Sequence, residues 1–124
     1  MGNEAMRNIA QDRIKTAEFE VDATSLEVGS NALSGATLPD LCLIIGAYLK
    51  NPANDLASAS TTATTAVTVG GTTVLSATGK AAIKGKGVGA LDTSPNSETS
   101  GAVALVQAGE VYTAGTLTAG VLYV

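Results

Sequence analysis

The sequence predicts an all-β protein: an antiparallel β-sandwich, jelly-roll-like, with an extended or short-helical N-terminal arm. Three observations carry that expectation. The last 69 of the 124 residues hold only six charged side chains and are built mostly from Thr, Ala, Gly and Val, a composition suited to pleated, half-buried surface. Apolar and polar residues alternate at period two early in the chain. Short β-prone runs then follow one another between turn signals, with no convincing internal helix and no fixed-period repeat. The division expected is an arm over residues 1–15 and a sandwich over residues 16–124.

Residues 1–22 carry eight charged side chains of mixed sign, and charge density falls afterwards. In the arm, Met6, Ile9, Ala10 and Ile14 recur at helical spacing with Arg7, Asp12 and Arg13 between them. A lone turn of helix is marginal in water, so the segment reads as an arm that orders on a partner. The plainer alternative is a frayed terminus.

The period then becomes two. Ala17, Phe19, Val21 and Ala23 alternate with Glu18, Glu20 and Asp22, which describes a half-buried strand with one wet face. Val28 to Gly35, with Gly29, Ser30 and Asn31, has a loop composition. Leu38-Pro39-Asp40 is a turn that launches Leu41 to Lys50, apolar at both parities and so expected to be central and covered on both faces. Asn51 to Asp55 closes it. Ser60 to Val69 and Thr72 to Leu75 flank Gly70-Gly71, a two-residue hairpin signal, because glycine enters the φ > 0 turn positions without strain. Ala81-Ala82-Ile83 reads as a short strand, Gly85 to Gly89 as a turn and Asp92 to Gly101 as a polar loop. Ala102 to Gln107 and Glu110 to Thr113 form a second expected hairpin around Ala108-Gly109. Leu117 to Val124 ends the chain as a strand with Leu117, Ala119, Val121 and Tyr123 on one face.

Composition also excludes function classes. Apolar residues make up 45% and aromatics 3%, so the core must be made of small and β-branched side chains. A domain of this size buries roughly two thirds of its unfolded surface, and small side chains supply little area each, so self-association would help it. A net charge of −4 argues against a nucleic-acid partner; Lys80, Lys84 and Lys86 form one basic cluster with no aromatic interleaved, which reads as a solvated turn. Cys42 is the single cysteine, so no intrachain disulfide can form, and without histidine its thiol reads as a small core hydrophobe. Leu41 to Leu49 is far shorter than the ~20 residues of a spanning helix. The polar start lacks a secretory h-region, and Met6 stands where a myristoylation signal needs Ser or Thr. No membrane partner is expected, and synthesis in a reducing cytoplasm is.

Site chemistry is sparse. Gly85-Lys86-Gly87-Val88-Gly89-Ala90 fits G-x-G-x-x-A, but Asp92 to Asn96 cannot open the helix that holds a pyrophosphate. Glu18, Glu20 and Asp22 line one strand face, as edge charges that discourage unwanted pairing do, rather than opposing each other across a cleft. Asp40, Asp55 and Asp92 lie in expected loops without an EF-hand spacing. No catalytic residue, cofactor or metal site is predicted, and an enzyme is not expected.

Leu38-Pro39-Asp40-Leu41-Cys42-Leu43-Ile44-Ile45-Gly46-Ala47-Tyr48 resembles the turn and apolar strand of small β-sandwich virion proteins of tailed bacteriophages. Val67-Thr68-Val69-Gly70-Gly71 is similar to their central hairpin, and Thr113-Ala114-Gly115-Thr116 with Leu117 to Val124 to their terminal strand. The resemblance covers residues 16–124 in outline. It implies a capsid decoration (cement) protein or head-fibre base, commonly trimeric, located on the virion and assembled in the host cytoplasm. Its partners would be the major capsid protein and further copies of itself. The arm would grip the capsid through Met6, Arg7, Ile9, Arg13 and Ile14. A fibre protein would carry a long extra domain, which favours cement. The alternative is a carbohydrate- or receptor-binding module of a fibre or adhesin, supported by Tyr48, Tyr112 and Tyr123 beside Thr-rich surface.

Overall fold

The computed structural model describes residues 15–39, 42–84, 90–92, 97–98 and 101–124. Its strands are β1 (Lys15–Asp22), β2 (Gly29–Leu38), β3 (Leu43–Lys50), β4 (Ala57–Ser58), β5 (Thr64–Val69), β6 (Thr72–Gly79), β7 (Ala90–Asp92), β8 (Ser97–Glu98), β9 (Gly101–Ala108), β10 (Tyr112–Ala114) and β11 (Thr116–Tyr123). A 3-10 turn covers Ala23–Ser25, and one helical turn, α1, covers Lys80–Ile83. Sheet I runs β1-β11-β3-β7, with β8 also on β3; sheet II runs β2-β9-β5-β6; β4 and β10 form a small ribbon. All pairings between these strands are antiparallel.

Leaving out the separate β4–β10 ribbon and the two-residue β8, eight strands remain. They pair first with last, second with seventh, third with sixth, and fourth with fifth. That is one long antiparallel hairpin wound into two sheets, the jelly-roll arrangement. The all-β sandwich expected from the sequence is therefore present.

The alternation of β1 is observed: Ala17, Phe19 and Val21 are half-buried, while Glu18, Glu20 and Asp22 are exposed. The Gly-Gly hairpin joins β5 to β6 with Gly70 at φ 56 and Gly71 at φ 86, both left-handed as a type I′ turn demands. β11 buries Leu117, Ala119 and Val121 as expected, with Tyr123 half-buried.

Five local expectations fail, each for a physical reason. Residues 28–35 were expected to loop, yet β2 begins at Gly29. Gly29 takes φ 115, and the Asn31 side chain closes the turn before it, accepting from Glu27 N (2.9 Å) and donating to Glu27 O (2.8 Å). The turn chemistry thus serves the mouth of a strand that β9 then pairs. Ala81-Ala82-Ile83 is helical rather than extended, because alanine is the best helix former and Lys84 N reaches Lys80 O (2.9 Å), which seats Ile83 in the core.

The second hairpin is absent. Both edges of β9 are taken by β2 and β5, so after the Gly109 turn β10 pairs with β4 instead. The expected loop at 92–101 holds β7 at its start and β8 within it, both on the otherwise unpaired edge of β3; residues 93–96, 99 and 100 lie outside the described ones. β3 is central, but only its Ile44, Ala47 and Leu49 face is fully buried; Leu43, Ile45, Tyr48 and Lys50 are half-covered. A bulge at Ile45, where Gly46 and Ile44 pair with Leu122 and Tyr123, resets the alternation.

The core between the sheets is aliphatic: Leu26, Ile44, Leu49, Leu56, Val67, Val69, Leu105, Leu117 and Val121 are among its members, with Tyr112 as its one fully buried aromatic. Cys42 is buried there, its Sγ donating to Pro39 O (2.9 Å). Two polar networks run through it. Thr65 Oγ1 donates to Gln107 Oε1 (2.7 Å), Tyr112 OH lies 3.0 Å from Thr65 Oγ1, and Gln107 Nε2 closes the Gly109 turn on Glu110 O (2.8 Å).

Asn51, fully buried, is the second. Its Nδ2 donates to Thr116 O (2.7 Å) and Asp55 Oδ1 (2.8 Å), and its Oδ1 accepts from Asp55 N (2.9 Å) and Leu56 N (3.0 Å). One amide thereby ties the end of β3 to β11 and to the loop before β4. Among the described residues no buried side-chain polar atom lacks a partner.

Removing a buried partner from such a group costs about 1–3 kcal/mol. Asn51→Ala should therefore lower unfolding free energy by about 3 kcal/mol in denaturant titration, while Asn51→Asp, which puts a carboxylate beside Asp55, should recover stability as pH falls. A loss under half a kilocalorie for Asn51→Ala would refute the clamp.

Candidate interaction surface

Charge is segregated by sheet. No residue of β2, β5, β6 or β9 is charged, so sheet II has an outer face of Ala, Ser, Thr and Val. The strands of sheet I hold Lys15, Glu18, Glu20, Asp22, Lys50, Asp92 and Glu98. Around sheet II the charged residues lie outside its strands, at Glu27, Lys80 and Glu110, whereas β1 carries its own charges in a row.

β1 is an edge strand: among the described residues it pairs with β11 alone. Glu18 opposes Gly120 of β11, and Gly120 opposes Tyr48 of β3. A Cβ on Gly120 would lie 2.0 Å from Tyr48 Cζ. Only glycine leaves the space for the Tyr48 ring to lie across β11 and donate its hydroxyl proton to the Glu18 carboxylate. Lys50 Nζ stands 3.5 Å from Glu18 and 5.5 Å from the Tyr48 ring centre. Three strands are thus linked over one glycine. The Tyr48 bond, with a smaller contribution from Lys50, holds the Glu18 carboxyl below its ordinary value, and burial together with the Glu18 bond pushes Tyr48 up to about 12.

Asp22 ends the strand by capping the 3-10 turn, accepting from Thr24 N (3.0 Å) and Thr24 Oγ1 (2.7 Å), and these bonds lower its pKa. Glu20, between them, has no side-chain partner of this kind and lines three concavities. One of 460 Å³ runs along the edge between β1 and β2, over Phe19, Val21, Ala32 and Leu33. One of 410 Å³ reaches Asp22, Asp55 and Gly115, and one of 250 Å³ reaches Pro52, Ala53 and Thr118. Elsewhere, Glu110 is partly desolvated, which raises its pKa, but bonds from Ser60 N (2.9 Å) and Ser60 Oγ (3.0 Å) outweigh this and lower it.

The other sequence candidates scatter. Met6, Arg7, Ile9, Arg13 and Ile14 lie outside the described residues, as do Asp40, Lys86 and Gly85 to Gly89. Ala90, the last position of the glycine fingerprint, enters strand β7 rather than a helix. The three tyrosines do not form a platform: Tyr112 is 2% exposed in the core, while Tyr48 is pinned to Glu18. Among the described residues no three His, Cys, Asp or Glu side chains are grouped to hold a metal ion, and no helix is long and apolar enough to cross a membrane. The Glu18–Tyr48 pair escaped sequence reasoning, since the two residues lie 30 positions apart and meet only through the β1-β11-β3 order.

No protein-family model matches the chain, and no curated protein matches it. Among solved structures it is similar to a chain of the cyanophage Pam1 capsid asymmetric unit, with a TM-score of 0.64 and 24% sequence identity over 89% of this chain and 83% of that one. The likeness shows a shared fold.

The latch has a pH signature. A carboxyl whose folded pKa is lowered adds stability above its ordinary value of 4.5, lost as pH falls through the folded pKa; a tyrosine raised from 10 to about 12 loses stability as pH rises between those values. Glu18→Gln should flatten the acid limb and bring the Tyr48 titration, followed by ultraviolet absorbance, back toward 10. Gly120→Ala should do the same by displacing the ring. A Tyr48 midpoint unmoved in both variants would break the assignment.

Proposed function

We propose that the chain is a structural virion protein of a tailed phage, a cement or decoration protein that binds the outer capsid surface and acts as a homotrimer. The observation that carries this reading is the fold-level likeness, along nearly the whole chain, to a component of a cyanophage capsid asymmetric unit. Three features support it. The one thiol is buried and donates to Pro39 O, so it serves the core. The strands of sheet II carry no charged residue, so copies of a net-negative protein meet less repulsion there than across β1. Small side chains on those strands allow close approach between subunits, and a trimer multiplies weak contacts to a lattice through effective concentration.

In this reading the protein is not an enzyme, its partners are the major capsid protein and itself, and it resides on the virion after assembly in the host cytoplasm. Met6, Arg7, Ile9, Arg13 and Ile14, which precede β1 in the sequence, are the proposed arm contacts to the capsid.

Light scattering on the purified protein should give three chain masses, and the protein should co-sediment with capsids that lack it. Deleting residues 1–14, upstream of β1, should abolish co-sedimentation while leaving the thermal unfolding of the sandwich in place. A strictly monomeric protein that ignores capsids would sink the proposal.

A further inference from the structure

We infer that the edge of β1 that no described strand occupies, with the groove between β1 and β2, is a strand-receiving site. Its partner is an extended segment of another protein, with basic side chains on one face of the strand and apolar side chains on the other. The inference rests on the capsid-associated reading and names the surface through which that association is made.

The backbone argument comes first. Ala23 N donates to Gly115 O (2.9 Å), one step beyond the Asp22–Thr116 pair, in a register that runs unbroken from Lys15 to Asp22. In an antiparallel ladder the direction of the backbone groups alternates, so odd-numbered residues of β1 face β11. Thr16, Glu18, Glu20 and Asp22 therefore turn their N–H and C=O groups to the edge that no described strand occupies. An extended peptide added there gains main-chain hydrogen bonds.

The side chains then select the occupant. The 460 Å³ groove has an apolar floor of half-buried Phe19, Val21 and Leu33, which also pack against the core. A purely protective edge would bury that ring. Above the floor, the outer face carries Glu18, Glu20 and Asp22, and among the described residues only Glu18 has a cationic partner, Lys50. Directly opposed like charges destabilise strand pairs and opposite charges stabilise them. A second copy of β1 would set acidic rows against each other, so the edge refuses its own kind and accepts a basic strand.

The test uses the full chain and two synthetic heptapeptides, one alternating Lys and Val, the other alternating Glu and Val. Amide exchange by NMR reads the edge. The Lys–Val peptide should slow exchange at Glu18 and Glu20 by roughly tenfold, the Glu–Val peptide should not, and the effect should weaken with added salt. Glu20→Lys should remove the protection. Glu20→Pro should remove it too while the sandwich stays folded, since proline is tolerated where a strand N–H faces outward.

No protection by the Lys–Val peptide overturns the site, whether or not capsids bind. Edge amides already protected in the full chain and released by deleting residues 1–14 would assign the groove to the chain's own arm. Protection that grows with protein concentration would assign it to a second copy. Both results overturn the inference. Capsid co-sedimentation of Glu20→Lys separates the two levels: binding equal to wild type refutes the site and spares the capsid reading, whereas wild type that fails to bind refutes that reading.

Discussion

Sheet I depends on β11. It is the last strand in sequence, yet it lies between β1 and β3 and is the one strand among those described that joins β1 to the sheet. A first strand that pairs only with the last cannot form early. Its hydrogen bonds repay the closure of a loop almost as long as the chain. Everything that gives sheet I its character follows from this placement. The register of β11 puts Gly120 between Glu18 and Tyr48, and the Asn51 clamp holds the Thr116 carbonyl at its start. The strand is also almost fully buried, its small residues letting both neighbours and the opposite sheet close upon it.

The segregation of charge follows from the same architecture. A core with a single fully buried aromatic, made of Val, Leu, Ile and Ala, tolerates no ionised group inside, and sheet II carries none outside either. The strands of sheet I thus carry charged side chains and those of sheet II only neutral ones. In the proposed setting sheet II meets like copies and the acidic edge meets something unlike. The two tasks do not compete for the same residues.

Sequence patterning revealed what is local. The alternation from Ala17 to Asp22 and the Gly70-Gly71 turn are legible because each is settled by neighbours within a few positions. Apart from Ala81-Ala82-Ile83, where a local helical turn replaces the expected strand, failures came where a partner distant in sequence decides. Gly29, Ser30 and Asn31 carry the chemistry of a loop, but β9 supplies a ladder and the loop becomes a strand. Ala102 to Gln107 and Glu110 to Thr113 look like hairpin arms, but β9 has no edge left to offer. Of the candidate surface, the acidic row was visible and its position on an edge was anticipated. The groove, the Tyr48 latch and the clamp were not, because each joins residues that only the wound topology brings together.

That row invites a reading as protection alone, since acidic side chains on an edge strand keep it from pairing with copies of itself. Protection and recognition need not exclude each other. A row of one sign repels its own kind and attracts the opposite kind with the same charges, so the residues that prevent edge-to-edge aggregation also set which strand is welcome. Tyr48 and Lys50 bear on this balance. They engage Glu18 from the far side of β11 and leave Glu20, which lines all three concavities, without a cation among the described residues, as Asp22 also is. A protective edge gains nothing from leaving an apolar floor open beneath such a charge. A receiving edge needs both.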